Sequence, residues 1–426
     1  MEQKPKGTRD ILPNVIRKWH FMEEMARKLA KQYNIDEIRT PTFENETLYN
    51  RSVGESSDIV TKEMYTFKDK GGRSLALRPE GTAGVVRAFL ENGLFNNAQP
   101  TKVFYIANNF RYENTQAGRF REFSQFGVEY FGSQEPIVDA EQIIMASKYL
   151  AMLGINNVEL QINSIGCPKC RANFNSALRE FAHAHKDELC QDCNKRMETN
   201  PLRMLDCKNE KCQMVLRQAP KLSDYLCDEC KQHFKSVLSI LDSRKIKYSI
   251  NTNLVRGLDY YTKTVFEFVA MLEDKPITVC GGGRYDKLVA EIGGNDVPAC
   301  GFACGLDRLV YLIDDKMIAP KDFVYIANTP DVSITEVLAV AEVLRSADIA
   351  VETNLTNRSF KAQMKYADKI CANKVVILGQ KEIDSGEFVV KNLRLGSECT
   401  MKASDLVKYI KLDSESIKKI TKTFSD

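Results

Sequence analysis

The chain has 426 residues, 43% hydrophobic and 27% charged, with a formal net charge of +3. That length suits two or three domains with a sizeable core, and the composition is that of a soluble globular protein. No run approaches the ~18 apolar residues of a membrane span, and the near-neutral balance points to no nucleic-acid partner for the surface as a whole, though a local basic groove stays open. The start, Met1-Glu-Gln-Lys-Pro-Lys-Gly-Thr-Arg-Asp10, lacks the apolar stretch of a secretion signal, so a cytoplasmic protein is expected.

From Val15 to Tyr33, apolar residues recur at helical spacing with Arg and Lys between them, which predicts an amphipathic helix. A strand-like stretch follows from Ile35 to Pro41. Further strand-like runs lie at 102–107, 126–131, 158–163, 247–251, 264–269 and 277–280, and residues 303–312 begin as a strand and turn helical. Between 167 and 235 the chain is helical, charged and rich in cysteine. Strands closed by short turns, with helices mainly at the two ends, predict an antiparallel α+β sheet. Beyond a linker at 318–322, strand-like and helical segments alternate as a compact α/β domain.

Six stretches carry chemistry. Arg78-Pro-Glu-Gly-Thr-Ala-Gly84 displays Glu80 and Thr82 ahead of a helix, where a carboxylate is commonly a cap. In Phe110–Tyr130, a strand would put Arg111 and Glu113 on one face. Arg119 and Phe123 follow a turn at Gly118, and Gln125, Gly127 and Glu129 again share a face. Such a hairpin suits a nucleotide with its phosphates, because arginine forks match phosphate oxygens.

Of thirteen cysteines, Cys280, Cys300, Cys304, Cys371 and Cys399 read as small buried apolar residues. The other eight form the pairs Cys167/Cys170, Cys190/Cys193, Cys207/Cys212 and Cys227/Cys230, whose spacing suggests one or two four-cysteine zinc sites. Leu254–Phe268 joins a polar turn, Arg256-Gly-Leu-Asp-Tyr-Tyr261, to a strand with Phe266 and Phe268 on one face and Glu267 on the other. Cys280-Gly-Gly-Gly-Arg-Tyr-Asp286 reads as a close approach to a ligand or a tight hairpin turn, and it is neither a P-loop nor a dinucleotide fingerprint. Gly301-Phe-Ala-Cys-Gly-Leu-Asp-Arg308 runs a small-residue strand into a helix that presents Arg308, apt for an anion.

Along essentially its whole length the chain resembles the histidyl-tRNA synthetases, a family of class II aminoacyl-tRNA synthetases. Lys6–Asp10 resembles the family's N-terminal signature and Ile38–Pro41 the dimer-forming first class motif. Phe110–Phe123 resembles the second motif and Gly301–Arg308 the third, while Arg256–Tyr261 and Gly281–Asp286 resemble the two histidine-specific signatures. The resemblance implies a six-stranded antiparallel catalytic domain over 1–320, with a cysteine-rich helical insertion at 167–235, and an α/β anticodon-binding domain over 321–426. It implies a homodimer that takes L-histidine, ATP with Mg2+, and tRNA(His), without membrane association.

Residue by residue, the resemblance implies that Glu80, Gly81, Thr82 and Gln125 hold the α-amino end of histidine, while Glu129 and Tyr261, beside Tyr260, read the imidazole. Arg111 and Arg256 would flank the α-phosphate as the catalytic cations. Glu113 and Phe123 would hold adenine, Arg119 and Arg308 the outer phosphates, and Gln116 and Arg121 the tRNA acceptor end. Lys287 departs from the family pattern, which has glycine there, and so puts the backbone of that turn in question. The same resemblance weakens the zinc reading, because the family's chemistry needs none. Two rival functions stand beside it: a non-catalytic histidine-sensing subunit of ATP phosphoribosyltransferase, expected to lack residues like 322–426, and a zinc-bearing nucleic-acid-binding protein.

Overall fold

The structure, a computed structural model, describes residues 2–54, 57 and 59–412. The chain divides into two compact units, Met1–Met317 and Ile318–Asp426.

The first unit is built on an eight-stranded sheet. Its strand order is Asp36–Glu37, Thr101–Phe110, Glu122–Phe131, Ala299–Gly305, Lys275–Arg284, Thr262–Leu272, Val158–Ser164 and Ser249–Ile250. The six central strands are antiparallel to their neighbours, as expected. The two outer ones are dipeptide strands that pair in parallel, so the sheet is wider than the six strands the resemblance implies. Side chains alternate across each strand. On Glu122–Phe131, Phe126, Val128 and Tyr130 occupy one face, and Phe126 meets Tyr149 of helix Pro136–Met152 at 4.8 Å between ring centroids. Gln125, Gly127 and Glu129 occupy the other face. Phe266 and Phe268 are likewise buried on a shared face, with ring centroids 6.2 Å apart.

The N-terminal helix, Ile16–Gln32, buries Trp19, Met22, Ala26 and Leu29, and Tyr149 Oη donates to the Met22 carbonyl at 3.1 Å. The insertion contributes four α-helices, Pro168–Ala184, Gln191–Thr199, Glu210–Leu216 and Asp228–Ser243, around Phe174, Leu178, Met197, Met204 and Leu216. The last of these helices is tied to the sheet by buried charges. His233 Nε2 lies 3.2 Å from Asp139, which also accepts from Arg284 Nε at 3.1 Å. Burial alone would raise the Asp139 carboxyl, but the Arg284 charge and the His233 hydrogen bond outweigh it and hold the group down at about 2.

Two expectations change here. The glycines 281–283 lie inside strand Lys275–Arg284, not in a turn, because their backbone must pair on both sides. Lys287 sits three residues past the strand end, with φ −102°, an ordinary backbone for a side-chain-bearing residue, and bonds Asp296 at 2.5 Å. Cys280, Cys300 and Cys304 are buried, whereas Cys371 is exposed at φ +58° after a helix end.

The second unit has a five-stranded sheet, in the order Val351–Glu352, Val324–Asn328, Lys374–Leu378, Glu387–Asn392 and Ser397–Lys402. The first three are parallel and the last two antiparallel. Helices Ile334–Ser346 and Phe360–Lys369 flank it, giving the α/β pattern the sequence predicts. Among the described residues no helix is long and apolar enough to cross a membrane.

Candidate active site

The sheet face opposite Phe126 and Phe266 floors an open cleft of about 650 Å³. Arg111, Arg119, Lys208, Arg217, Arg256 and Arg308 line it, against Glu113, Asp206, Glu267 and Asp307. One of those acids is already committed, since Asp307 takes Arg9 at 2.6 Å and the Ser124 N–H at 2.6 Å. The cleft therefore has cationic charge to spare and suits a polyanion. Burial lowers the Arg308 pKa, and the nearby Arg119 and Arg111 charges lower it further, as expected where cations gather ahead of an anion.

Arg111 and Glu113 do face the same cleft, but not from a strand. The strand ends at Phe110, and residues 111–121 form a loop. Arg111 Nε donates to the Pro79 carbonyl at 2.8 Å, and its guanidinium lies 5.3 Å from the Phe123 ring centroid. Glu113 pairs with Arg119 at 2.5 Å. Gln116 and Arg121 stay outside the cleft. Gln116 bridges to Arg119 through backbone, and the Arg121 guanidinium stacks 3.6 Å from the Tyr112 ring centroid.

Arg256 leaves its turn to pair with Glu267 of the adjoining strand, and Glu267 also accepts from Thr278 Oγ1 at 2.7 Å. Burial opposes the arginine's charge, but Glu267 together with Tyr261 and Tyr260 more than offsets it, and the cation is fixed. It lies flat across Gly281, where a Cβ would come within 2.5 Å of Nη1. Gly281→Ala should therefore displace the guanidinium and spare the fold. The expected result is a loss of about tenfold or more in activity at nearly unchanged melting temperature, checked by steady-state kinetics and calorimetry.

At the inner end, a small cavity of about 60 Å³ is enclosed by Glu80, Thr82, Tyr105, Gln125, Glu129, Tyr260, Tyr261 and Tyr285, among others. Glu129 is its centre. One oxygen accepts from Thr82 Oγ1 at 2.7 Å and Tyr105 Oη at 3.3 Å, and the other from Tyr285 Oη. Burial pushes this carboxyl up to about 8, against the pull of the three hydroxyls. Gly301 makes room for it: a Cβ there would stand 1.8 Å from Oε2.

Glu80 is first of all a helix cap. Its oxygens accept the N–H groups of Thr82 at 2.7 Å and Ala83 at 2.8 Å, and burial raises its pKa. It lines the cavity with its remaining acceptor capacity, and Gly81 lies packed against the Tyr105 ring without lining it. Gln125 takes the Asn109 amide at 2.7 Å.

Sequence reasoning missed Tyr105, Tyr285, Glu267 and the insertion residues Asp206, Lys208 and Arg217. Tyr285 stood inside a singled-out motif, and Glu267 was placed on the right face. Tyr105 had no signal beyond strand alternation.

The eight clustered cysteines come together as two groups of four, Cys167/Cys170/Cys227/Cys230 and Cys190/Cys193/Cys207/Cys212. The outer pairs join, and so do the inner pairs.

Comparison with known proteins agrees with the geometry. A family model described as histidyl-tRNA synthetase matches residues 7–309, and one described as anticodon binding domain matches 323–412. Histidine–tRNA ligase of Caldicellulosiruptor bescii is 46% identical over 96% of this chain and 98% of its own length. The enzyme of that name from Halothermothrix orenii is 48% identical over 95% and 97%. The apo histidyl-tRNA synthetase structure from S. aureus superposes with a TM-score of 0.82 at 36% identity, covering 96% of this chain and 100% of that one. With matched residues spanning both units, the chain belongs to the histidyl-tRNA synthetase family.

Proposed function

We propose that the chain activates L-histidine with ATP to histidyl-adenylate and transfers the histidyl group to tRNA(His), releasing AMP and diphosphate. One observation carries this reading: a small pocket around a buried carboxylate shares Arg111, Gln125 and Arg256 with a cleft edged by Arg111, Arg119, Arg256 and Arg308. In it, Glu129 accepts from an imidazole nitrogen and the Tyr261 phenol stands at the other. Glu80, Thr82 and Gln125 hold the α-ammonium group, and Phe123 with Glu113 holds adenine.

ATP enters as its Mg2+ complex. As the histidine carboxylate attacks the α-phosphorus, charge builds on phosphoryl oxygens in line with the leaving pyrophosphate. Arg111 and Arg256 stabilise that charge from two sides, and Arg119 and Arg308 take the outer phosphates. Residues 1–320 form the catalytic domain, and 321–426 read the anticodon. Gln116 and Arg121, outside the cleft, meet the acceptor end of the tRNA.

Histidine-dependent exchange of pyrophosphate into ATP tests the reading. Histidine binding without any exchange would transfer the chain to the regulatory alternative. The raised Glu129 carboxyl adds a second test. Near pH 7.5 a group at about 8 is largely protonated, and an imidazole N–H is held more strongly by the ionised carboxylate, so binding favours loss of that proton. Histidine binding should then release on the order of 0.7 proton, read as a buffer-dependent enthalpy in calorimetry. A buffer-independent enthalpy would contradict the assignment.

A further inference from the structure

The insertion carries a pattern that histidine activation does not use. Each of its four helices has a thiol as its third residue: Cys170, Cys193, Cys212 and Cys230. The three longest also begin on a cysteine at the N-cap, Cys167, Cys190 and Cys227. Backbone N–H groups point at the sulfurs, from Cys227 to Cys170 Sγ and from Cys190 to Cys212 Sγ, both at 3.1 Å. Such donors, with the positive end of a helix, favour the thiolate form.

Within each group of four, all sulfurs lie within 4.8 Å of one another. A tetrahedron with metal–sulfur bonds of about 2.3 Å has sulfur–sulfur edges of about 3.8 Å. Cys167 and Cys170 stand at 3.6 Å, and Cys190 and Cys207 at 3.8 Å. A disulfide needs about 2.05 Å, and all eight thiols are free. Four thiolates at this spacing suit a tetrahedral Zn2+, the chief rival being iron, which takes the same donor set.

We propose that the insertion binds two Zn2+ ions, each held by four cysteine thiolates, and that the two ions do different work. Each thiol loses its proton to solvent as its sulfur binds.

The first ion closes the root of the insertion. Cys167 stands three residues past strand Val158–Ser164, and Cys227 and Cys230 sit in the first turn of the helix that returns to the sheet, so one ion pins entry to exit. The second ion braces the cleft. The segment between Cys193 and Cys207 holds Asn200 and Arg203, which bond Asp259 at 2.9 Å and 3.1 Å, and Arg203 also bonds the Gly257 carbonyl. These contacts grip the turn that carries Arg256. Leu205, Asp206, Lys208, Gln213, Leu216 and Arg217, around Cys207 and Cys212, form the cleft wall facing the sheet.

The experiment uses the full chain purified without chelator. Plasma mass spectrometry should find close to two zinc ions per chain in the wild type, about one in Cys230→Ser, about one in Cys212→Ser, and none in the double variant. Co2+ loaded in place of zinc should give the intense visible bands of a tetrahedral thiolate site. That readout needs no variant to fold. Less than ~0.3 zinc per chain in the wild type, or iron in its place, overturns the proposal.

Function separates the two ions. Cys212→Ser should raise the KM for ATP about tenfold or more. Cys230→Ser should lower the melting temperature while leaving that KM within about threefold. A zinc-depleted Cys212→Ser with wild-type KM and exchange rate would refute the bracing role. Zinc-loaded wild-type protein without pyrophosphate exchange would instead refute histidine activation and leave the metal sites standing.

Discussion

Arg256→Ala is expected to slow histidine-dependent pyrophosphate exchange by about 10²- to 10³-fold with little change in melting temperature. The arginine is held by Glu267 and stretched over Gly281, so its charge is in place before substrate arrives. A pre-fixed cation at developing phosphoryl charge costs no reorganisation during reaction, which is why its loss falls on the rate. Removing it does not strand Glu267, which keeps the Thr278 hydroxyl and sits at the cleft. The effect should therefore appear in kcat more than in the KM for histidine. A loss under tenfold would make Arg256 a structural residue of the turn.

Glu129→Gln should lower kcat/KM for histidine by a factor on the order of 10³–10⁴ and narrow the margin over amino acids without a ring nitrogen. The substitution is nearly isosteric, and the Tyr285 hydroxyl can turn from donor to acceptor toward the new amide, so the fold should survive. The same carboxyl also sets a pH dependence of stability. Its pKa rises from 4.5 in the unfolded chain to about 8 in the folded one, so the folded state binds the proton more tightly. That contribution is complete below pH 4.5 and is lost as pH rises through 8, at a slope of up to about 1.4 kcal/mol per unit. Melting curves from pH 5 to 8 should show Glu129→Gln gaining on the wild type as pH rises. Unchanged discrimination between histidine and its competitors would refute the role given to Glu129.

The parts of the site legible in the sequence were those fixed by spacing along one strand. Gln125, Gly127 and Glu129 share a face because side chains alternate, and nothing else in the fold can alter that. Relations set by which strands become neighbours were not legible. Glu267 meets Arg256 across a turn, and Tyr105 reaches Glu129 from the next strand over. Arg111 and Glu113 were expected on a strand, but the strand stops at Phe110, and the loop delivers both side chains to the cleft. Four cysteine pairs were visible, but joining outer with outer and inner with inner is a property of how four helices pack. Glu80 shows the reverse case: the plain reading as a cap was right, and the same carboxylate also lines the cavity.

The glycine positions beneath Arg256 and Glu129 also bear on how this catalyst could be altered. Gly281 and Gly301 leave no free volume, since each is already covered by the functional group lying over it. Any side chain there would push the cation or the carboxylate out of place and cost activity, as for Gly281→Ala. A library aimed at accepting a non-natural amino acid belongs at Thr82, Tyr105 and Tyr285, the hydroxyl-bearing residues around Glu129. Trimming one of them would open space or change the donor pattern without evicting the carboxylate or the cation.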